Sequence, residues 1–189
     1  MSSPATILLD TNAYLRLGYS LHPLLAKHFG SKGNRLKLRL TGSFLSEYSR
    51  SPRIQNKFPW VNQPEYINDR KKGRLRVPEA SKPQIKRASN YLWQFRMDQG
   101  LTASRVDVNI LAHGYVLDIV VVTDDKDMKV VGEEFEIQIM GVFDLLKLMF
   151  ECDRATPENI KALAGYLEYI KDTPSITFKE DCLALIGGS

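Results

Sequence analysis

Four carboxylates, each tied to a separate apolar segment, are the residues of this chain best placed to do chemistry. Asp10 closes the apolar run 6–9, and Asp125 follows the run 119–122. Glu47 lies six residues past Thr41, which ends the run 36–40. Asp107 opens an apolar helical pattern. Acids at the carboxyl ends of parallel strands, or on the adjoining helices, can converge in one crevice. Acids gathered that way repel one another unless a cation sits between them. Their oxygen ligands suit a hard divalent ion, with Mg²⁺ or Mn²⁺ the natural occupant.

Other chemistries fail on specific residues. His22, His28 and His113 form no pair and no triad-like spacing. Cys152 and Cys182, the only cysteines, lack CxxC spacing and nearby paired histidines, so they read as two buried thiols in a reducing compartment. There is no GxxxxGK[ST] phosphate loop and no GxSxG elbow. A phosphatase of the haloacid dehalogenase type would need a second Asp two residues after Asp10, where this chain has Asn12. The plain alternative for the four acids is a set of helix caps and surface charges. Against it, Asp10 and Asp125 follow runs too apolar to be exposed.

The charge is unevenly spread. Residues 50–87 hold 11 Lys and Arg against 3 acids, so that segment carries +8 and the remainder −4, within a net +4. A basic stretch attached to an acidic core suits a polyanionic substrate that must approach a carboxylate-bound metal. Arg70, Lys71, Lys72, Arg74 and Arg76 are its densest part. Phe58, Trp60 and Tyr66 are interleaved and could stack on unpaired bases. The plain alternative is a solvated loop with anchoring aromatics.

The elements that must position these residues alternate strand with helix. A strand is predicted over 6–9, then a helix capped by Thr11 or Asn12 and ended by Gly18. A second short helix is expected over 21–29 and a strand over 36–40. Thr41 is the expected N-cap of a helix carrying Glu47. Four prolines (Pro52, Pro59, Pro64 and Pro78) imply mostly irregular chain between 50 and 82. A long helix should run from Pro83 to Gln99, and another, capped by Thr102 or Ser104, should hold Asp107 in its first turn. Strands over 118–123 and 136–140 and helices over 142–150 and 157–171 follow. Leu163, Tyr166, Leu167 and Ile170 form an apolar stripe best used as core. The pattern predicts a three-layer α/β sandwich around a mostly parallel sheet, with a helical C-terminal extension. At 189 residues this is one domain over 1–150 with a basic insert at about 50–82, plus an extension over 151–189 packed on it. No signal peptide is evident, and no apolar run approaches the ~20 residues of a membrane span.

Four pieces of sequence carry a resemblance. They are Ile7-Leu8-Leu9-Asp10-Thr11-Asn12, Thr41-Gly42-Ser43-Phe44-Leu45-Ser46-Glu47, Ser104-Arg105-Val106-Asp107-Val108-Asn109-Ile110-Leu111-Ala112 and Val121-Val122-Thr123-Asp124-Asp125-Lys126-Asp127-Met128. In order, they resemble the successive motifs of PIN domains, and look most like VapC-type toxins of bacterial toxin–antitoxin pairs. The resemblance covers roughly residues 5–150. It implies that Asp10, Glu47, Asp107 and Asp125 are the catalytic, metal-binding acids, and that Thr11, Asn12 and Thr123 support them. Asp127 is given a supporting place too, with a surface acid capping the turn before Met128 as its alternative. Asp124 competes with Asp125 for the last acidic position. The chain departs from short toxins in its long basic insert and its extension.

The resemblance implies a metal-dependent endoribonuclease. Asp10 and Asp107 are assigned to direct ligation, Glu47 and Asp125 to a second ion or its waters. Attack by water would leave 5′-phosphate and 3′-hydroxyl ends. Expected partners are RNA, a small antitoxin protein covering the acidic pocket, and a second copy in a homodimer, in the cytoplasm. The alternatives are a non-catalytic PIN-like nucleic-acid-binding module, and a different metal-dependent phosphohydrolase or DNA nuclease.

Overall fold

The computed structural model describes residues 5–31 and 33–188. Its strands are β1 (Ala5–Leu9), β2 (Phe29–Ser31), β3 (Asn34–Arg39), β4 (Val120–Val122) and β5 (Ile139–Met140). They form one sheet in the order β2-β3-β1-β4-β5. β1 runs parallel to β3 and β4, and β4 parallel to β5; β2 joins the β3 edge antiparallel. Successive side chains of a strand face opposite ways. Ile7, Leu9 and Val122 therefore enter one apolar cluster, and Leu8 and Val121 the other. Central strands apolar on both faces need cover on both faces. One face lies under α1 (Thr11–Leu17), α8 (Val142–Glu151), α9 (Pro157–Tyr169) and α10 (Phe178–Gly187). The other lies under α5 (Lys82–Asp98), α6 (Arg105–Leu117) and α7 (Lys126–Glu134). The architecture is a three-layer α/β sandwich around a mostly parallel sheet.

The C-terminal helices belong to the main core. Leu163, Leu167, Phe178 and Cys182 join the cluster that holds Ile7 and Leu9. Cys152 and Cys182 are free thiols. Cys152 is only half-buried, whereas burial pushes the Cys182 thiol up to about 12. Among the described residues no helix is long and apolar enough to cross a membrane.

Five expectations are corrected. Residues 21–29 form no helix: the backbone amides of Leu24, Leu25 and Ala26 all donate to the buried Asp69 carboxylate, at 3.0, 2.9 and 2.8 Å. Those amides are therefore satisfied without helical carbonyls. Residues 50–82 are largely helical, comprising α3 (Pro52–Lys57), a 3-10 turn (Pro59–Asn62), α4 (Pro64–Gly73) and a second 3-10 turn (Glu79–Ser81). Pro52, Pro59 and Pro64 sit in first turns, where a missing amide hydrogen costs nothing. Phe58, Trp60 and Tyr66 are core residues and offer no free ring face to a base. The strand expected over 118–123 is shorter because Asp118 ends α6 in the left-handed conformation, at φ 49°. Glu136, at φ 53°, delays β5 in the same way.

Candidate functional site

Three acids reach the carboxyl edge of the sheet from different elements. β1 is central: the chain passes from it to β3 on one side and later to β4 on the other. Between β1 and β4 lies the topological switch point, where α/β folds open a crevice. Leu9 pairs with Val122, so Asp10 and Thr123 follow side by side, and the Asp10 amide donates to the Val122 carbonyl at 3.1 Å. Glu47 comes from α2 (Phe44–Arg50), the helix after β3, and Asp107 from the first turn of α6.

Local chemistry sets each carboxylate. Asp10, rather than Thr11 or Asn12, caps α1 and accepts from the Ala13 amide. Asp125 caps α7, accepting from the Met128 amide at 2.8 Å. Asp107 completes a capping box with Ser104: its carboxylate accepts from the Ser104 amide at 2.8 Å, and its own amide donates to the Ser104 hydroxyl at 3.1 Å. Thr41 does not cap α2; Ser43 holds that position, and the two hydroxyls pair at 2.6 Å. The Thr11 hydroxyl donates to Glu47 across 36 residues of sequence. The buried Thr123 hydroxyl accepts from the Asp125 amide at 3.1 Å, donates to the Met128 sulfur at 3.3 Å, and lowers the pKa of the neighbouring Asp10 carboxyl.

Capping alone accounts for the geometry of Asp125 and Asp107. It does not account for the electrostatics. Asp10 is 2 % exposed, and burial drives its carboxyl from 3.8 up to about 7, against the pull of Thr123 and the Ala13 amide. The Asp107 charge pushes it further and Arg16 opposes. Burial also raises Glu47, with Thr11 opposing and Asp107 adding repulsion. Asp107 itself is raised, first by burial and also by Asp125, with Ser104 opposing. Asp107 is thus the hub of three like-charge repulsions. A divalent cation fits this donor set: the ligands are hard oxygens, and among the described residues none of the four acids is in an ion pair. Among the described residues no three such side chains close on a single point. Mg²⁺ keeps several waters and takes only one or two carboxylates directly, so spaced acids are compatible with it.

The remaining predicted residues divide. Asn12 is exposed and lines, with Asp125, Asp127 and Arg16, an open groove of about 420 Å³. Asp124 is occupied: Arg16 donates to it at 3.0 Å and the Val142 amide at 3.1 Å. Asp127 turns to the Thr102 hydroxyl at 2.6 Å, which holds its pKa below the usual value, so it ties the loop before α6 to α7. Lys71, Lys72, Arg74 and Arg76 are exposed. Arg70 is largely buried, donating to the Tyr14 hydroxyl at 3.2 Å and lying over the Phe44 ring at 5.3 Å, and it lines a cavity with Lys71 and Arg74.

Sequence reasoning missed Arg16 and Asp172. Arg16 bridges Asp124 and Asp172, and Lys57 meets Asp172 at 2.9 Å. Arg16 follows Asn12 by four residues on α1, so its face was readable. Asp172 lies 156 residues away from Arg16 and carried no local signal. No family model matches the chain, and no curated protein matches it.

Proposed function

We propose that the protein is a divalent-cation-dependent endoribonuclease, acting as the toxin of a toxin–antitoxin pair with a PIN-like domain. One observation supports this: the Asp10 carboxyl, buried at the carboxyl end of β1, is pushed up to about 7, and Asp107, which repels both Asp10 and Glu47, is itself raised by burial and by Asp125. Perturbed carboxyls grouped in this way cluster at functional sites. Asp10 and Asp107 would hold the ion, and Glu47 and Asp125 would hold its waters or a second ion. When bound, Mg²⁺ or Mn²⁺ would supply charge neutralisation at the phosphodiester and a water of lowered pKa. Thr11 holds Glu47 and the Ala13 amide holds Asp10, so both carboxylates are oriented before any ligand arrives. The exposed lysines and arginines 71–76 lie on the α4 side of the same sheet edge and suit an approaching polyanion.

A second reading, a non-catalytic PIN-like nucleic-acid-binding module, is favoured by the capping roles of Asp10, Asp107 and Asp125, which give each a structural use. Cleavage of a structured RNA pool, and of DNA of equal sequence, by the parent protein and Asp10→Asn in Mg²⁺, Mn²⁺ or EDTA separates them. Metal-dependent cutting of RNA with 5′-phosphate ends, lost in Asp10→Asn, is expected. RNA bound in a salt-sensitive way but left intact under every metal would favour the binding module. The toxin assignment is tested apart: expression should arrest growth, and co-expression of a neighbouring short open reading frame should relieve it.

A further inference from the structure

A cavity of about 300 Å³ opens at the carboxyl end of β3. Its wall is apolar: Phe44, Leu45 and Ile67 line it, and Leu45 remains 54 % exposed although it sits at the start of α2. Its rim is cationic. Lys71 and Arg74 border it, and among the described residues neither makes an ion pair with an acid. Asn62 also lines it, and its side-chain amide has no hydrogen-bond partner among the described residues. Arg74 is held firmly. Leu40 and Arg74 form a parallel bridge flanked by the Leu40 amide to the Gly73 carbonyl at 3.0 Å and the Leu75 amide to the Leu40 carbonyl at 2.8 Å. Its guanidinium then lies against the bare Cα of Gly42, where an added Cβ would stand 3.0 Å from it. Phe44 precedes Glu47 by about one helical turn on the same face of α2, so the cavity lies one turn from Glu47.

We propose that this cavity is a subsite for one unpaired nucleotide, resting on the nuclease reading for the identity of its strand. The base packs on Leu45 and Ile67 with the Asn62 amide at its polar edge, and the adjoining phosphates meet Lys71 and Arg74. An apolar wall with one polar reader and cations at the mouth matches a nucleotide, which is part flat apolar ring and part anion. A duplex keeps its bases stacked inside and presents only phosphates to such a site. The subsite therefore selects single-stranded segments next to the scissile bond.

The test is fluorescence anisotropy of a labelled single-stranded oligoribonucleotide and of an RNA duplex of equal length, in EDTA, using the full chain carrying Asp10→Asn. Adding Leu45→Ala or Asn62→Ala should weaken single-strand binding roughly tenfold, the scale of losing one base contact, and leave duplex binding unchanged. Arg74→Gln and Lys71→Gln should weaken both and reduce the salt dependence by about one counterion each. Gly42→Ala keeps every charge but displaces the Arg74 guanidinium, and should weaken single-strand binding. Unchanged single-strand affinity in Leu45→Ala, whose exposed side chain is not needed for folding, overturns the subsite. A parent protein that cuts no RNA under any metal, with binding still lost in Leu45→Ala, leaves the subsite standing and removes the nuclease. Asp10-dependent cutting with unchanged binding removes the subsite alone.

Discussion

Replacing Asp10 by Asn should stabilise the metal-free protein, and by an amount that depends on pH. The unfolded chain ionises Asp10 near 3.8, whereas the folded protein holds its proton until about 7. A carboxyl raised on folding contributes fully below its unfolded value and loses that contribution as pH rises through its folded value. Each pH unit between the two is worth about 1.4 kcal/mol. The stability gap between Asp10→Asn and the parent should therefore widen in favour of the variant by about 1.4 kcal/mol per unit from about pH 4 to pH 7, level off, and total about 4 kcal/mol. The Asn carbonyl can still accept from the Ala13 amide, so the cap persists, and a constant packing difference would shift the curve without changing its slope. Urea unfolding at half-unit steps from pH 4.5 to 8.5 in EDTA reads this directly. Saturating Mg²⁺ should reverse the order above pH 7, because binding of the ion to the ionised carboxylate stabilises only the parent. A gap that stays flat with pH, or an Asn variant that loses stability relative to the parent as pH rises, would refute the view that burial holds the proton on Asp10.

Further expectations follow from single contacts. Thr11→Ala removes the donor that holds Glu47; single-turnover cleavage should fall about tenfold, the worth of one hydrogen bond to a charged group at about 1.5 kcal/mol, and Thr11→Ser should restore it. Asp69→Ala strands the buried amides of Leu24 and Leu25 and should cost about 3 kcal/mol in urea unfolding, a loss of under 1 kcal/mol arguing against that capping role. Leu163→Ala opens a cavity in fully buried core and should cost about 3 kcal/mol in a single transition. Two separate transitions would mean that the C-terminal helices fold as a unit of their own. Asp172→Asn releases Arg16 and Lys57, and as a half-buried pair of contacts it should cost about 1 kcal/mol at low salt and less in 1 M NaCl.

The legible parts of this chain were those whose cause is local. Apolar runs at 6–9 and 119–122, the first closing on Asp10 and the second leading through Thr123 to Asp124 and Asp125, announced central strands because such strands are buried on both faces. Ser104 and Asp107, three residues apart before an apolar pattern, announced a capped helix, and the structure forms that box. Prolines in residues 50–82 misled because the same residue ends one segment and opens the next; only position within the first turn separates the two uses. The cap of α1 fell on Asp10 itself, since its short carboxylate reaches the Ala13 amide while Thr11 turns to Glu47.

By itself the sequence determined the two central strands with the acids that follow them, and the helices carrying Glu47 and Asp107, because propensity, capping and alternation act over a few neighbouring residues. Only tertiary structure decided what those acids became. The pairing of Leu9 with Val122 set Asp10 beside Thr123. The pull of Asp172 on Arg16 and of Asp69 on the 24–26 amides crosses 156 and about 45 positions of chain. Phe58, Trp60 and Tyr66, aromatic and flanked by basic residues, turned inward because burying large rings outweighs the open surface that their neighbours' charges suggested. Burial is a property of the packed whole, and burial is what lifts the Asp10 carboxyl to about 7.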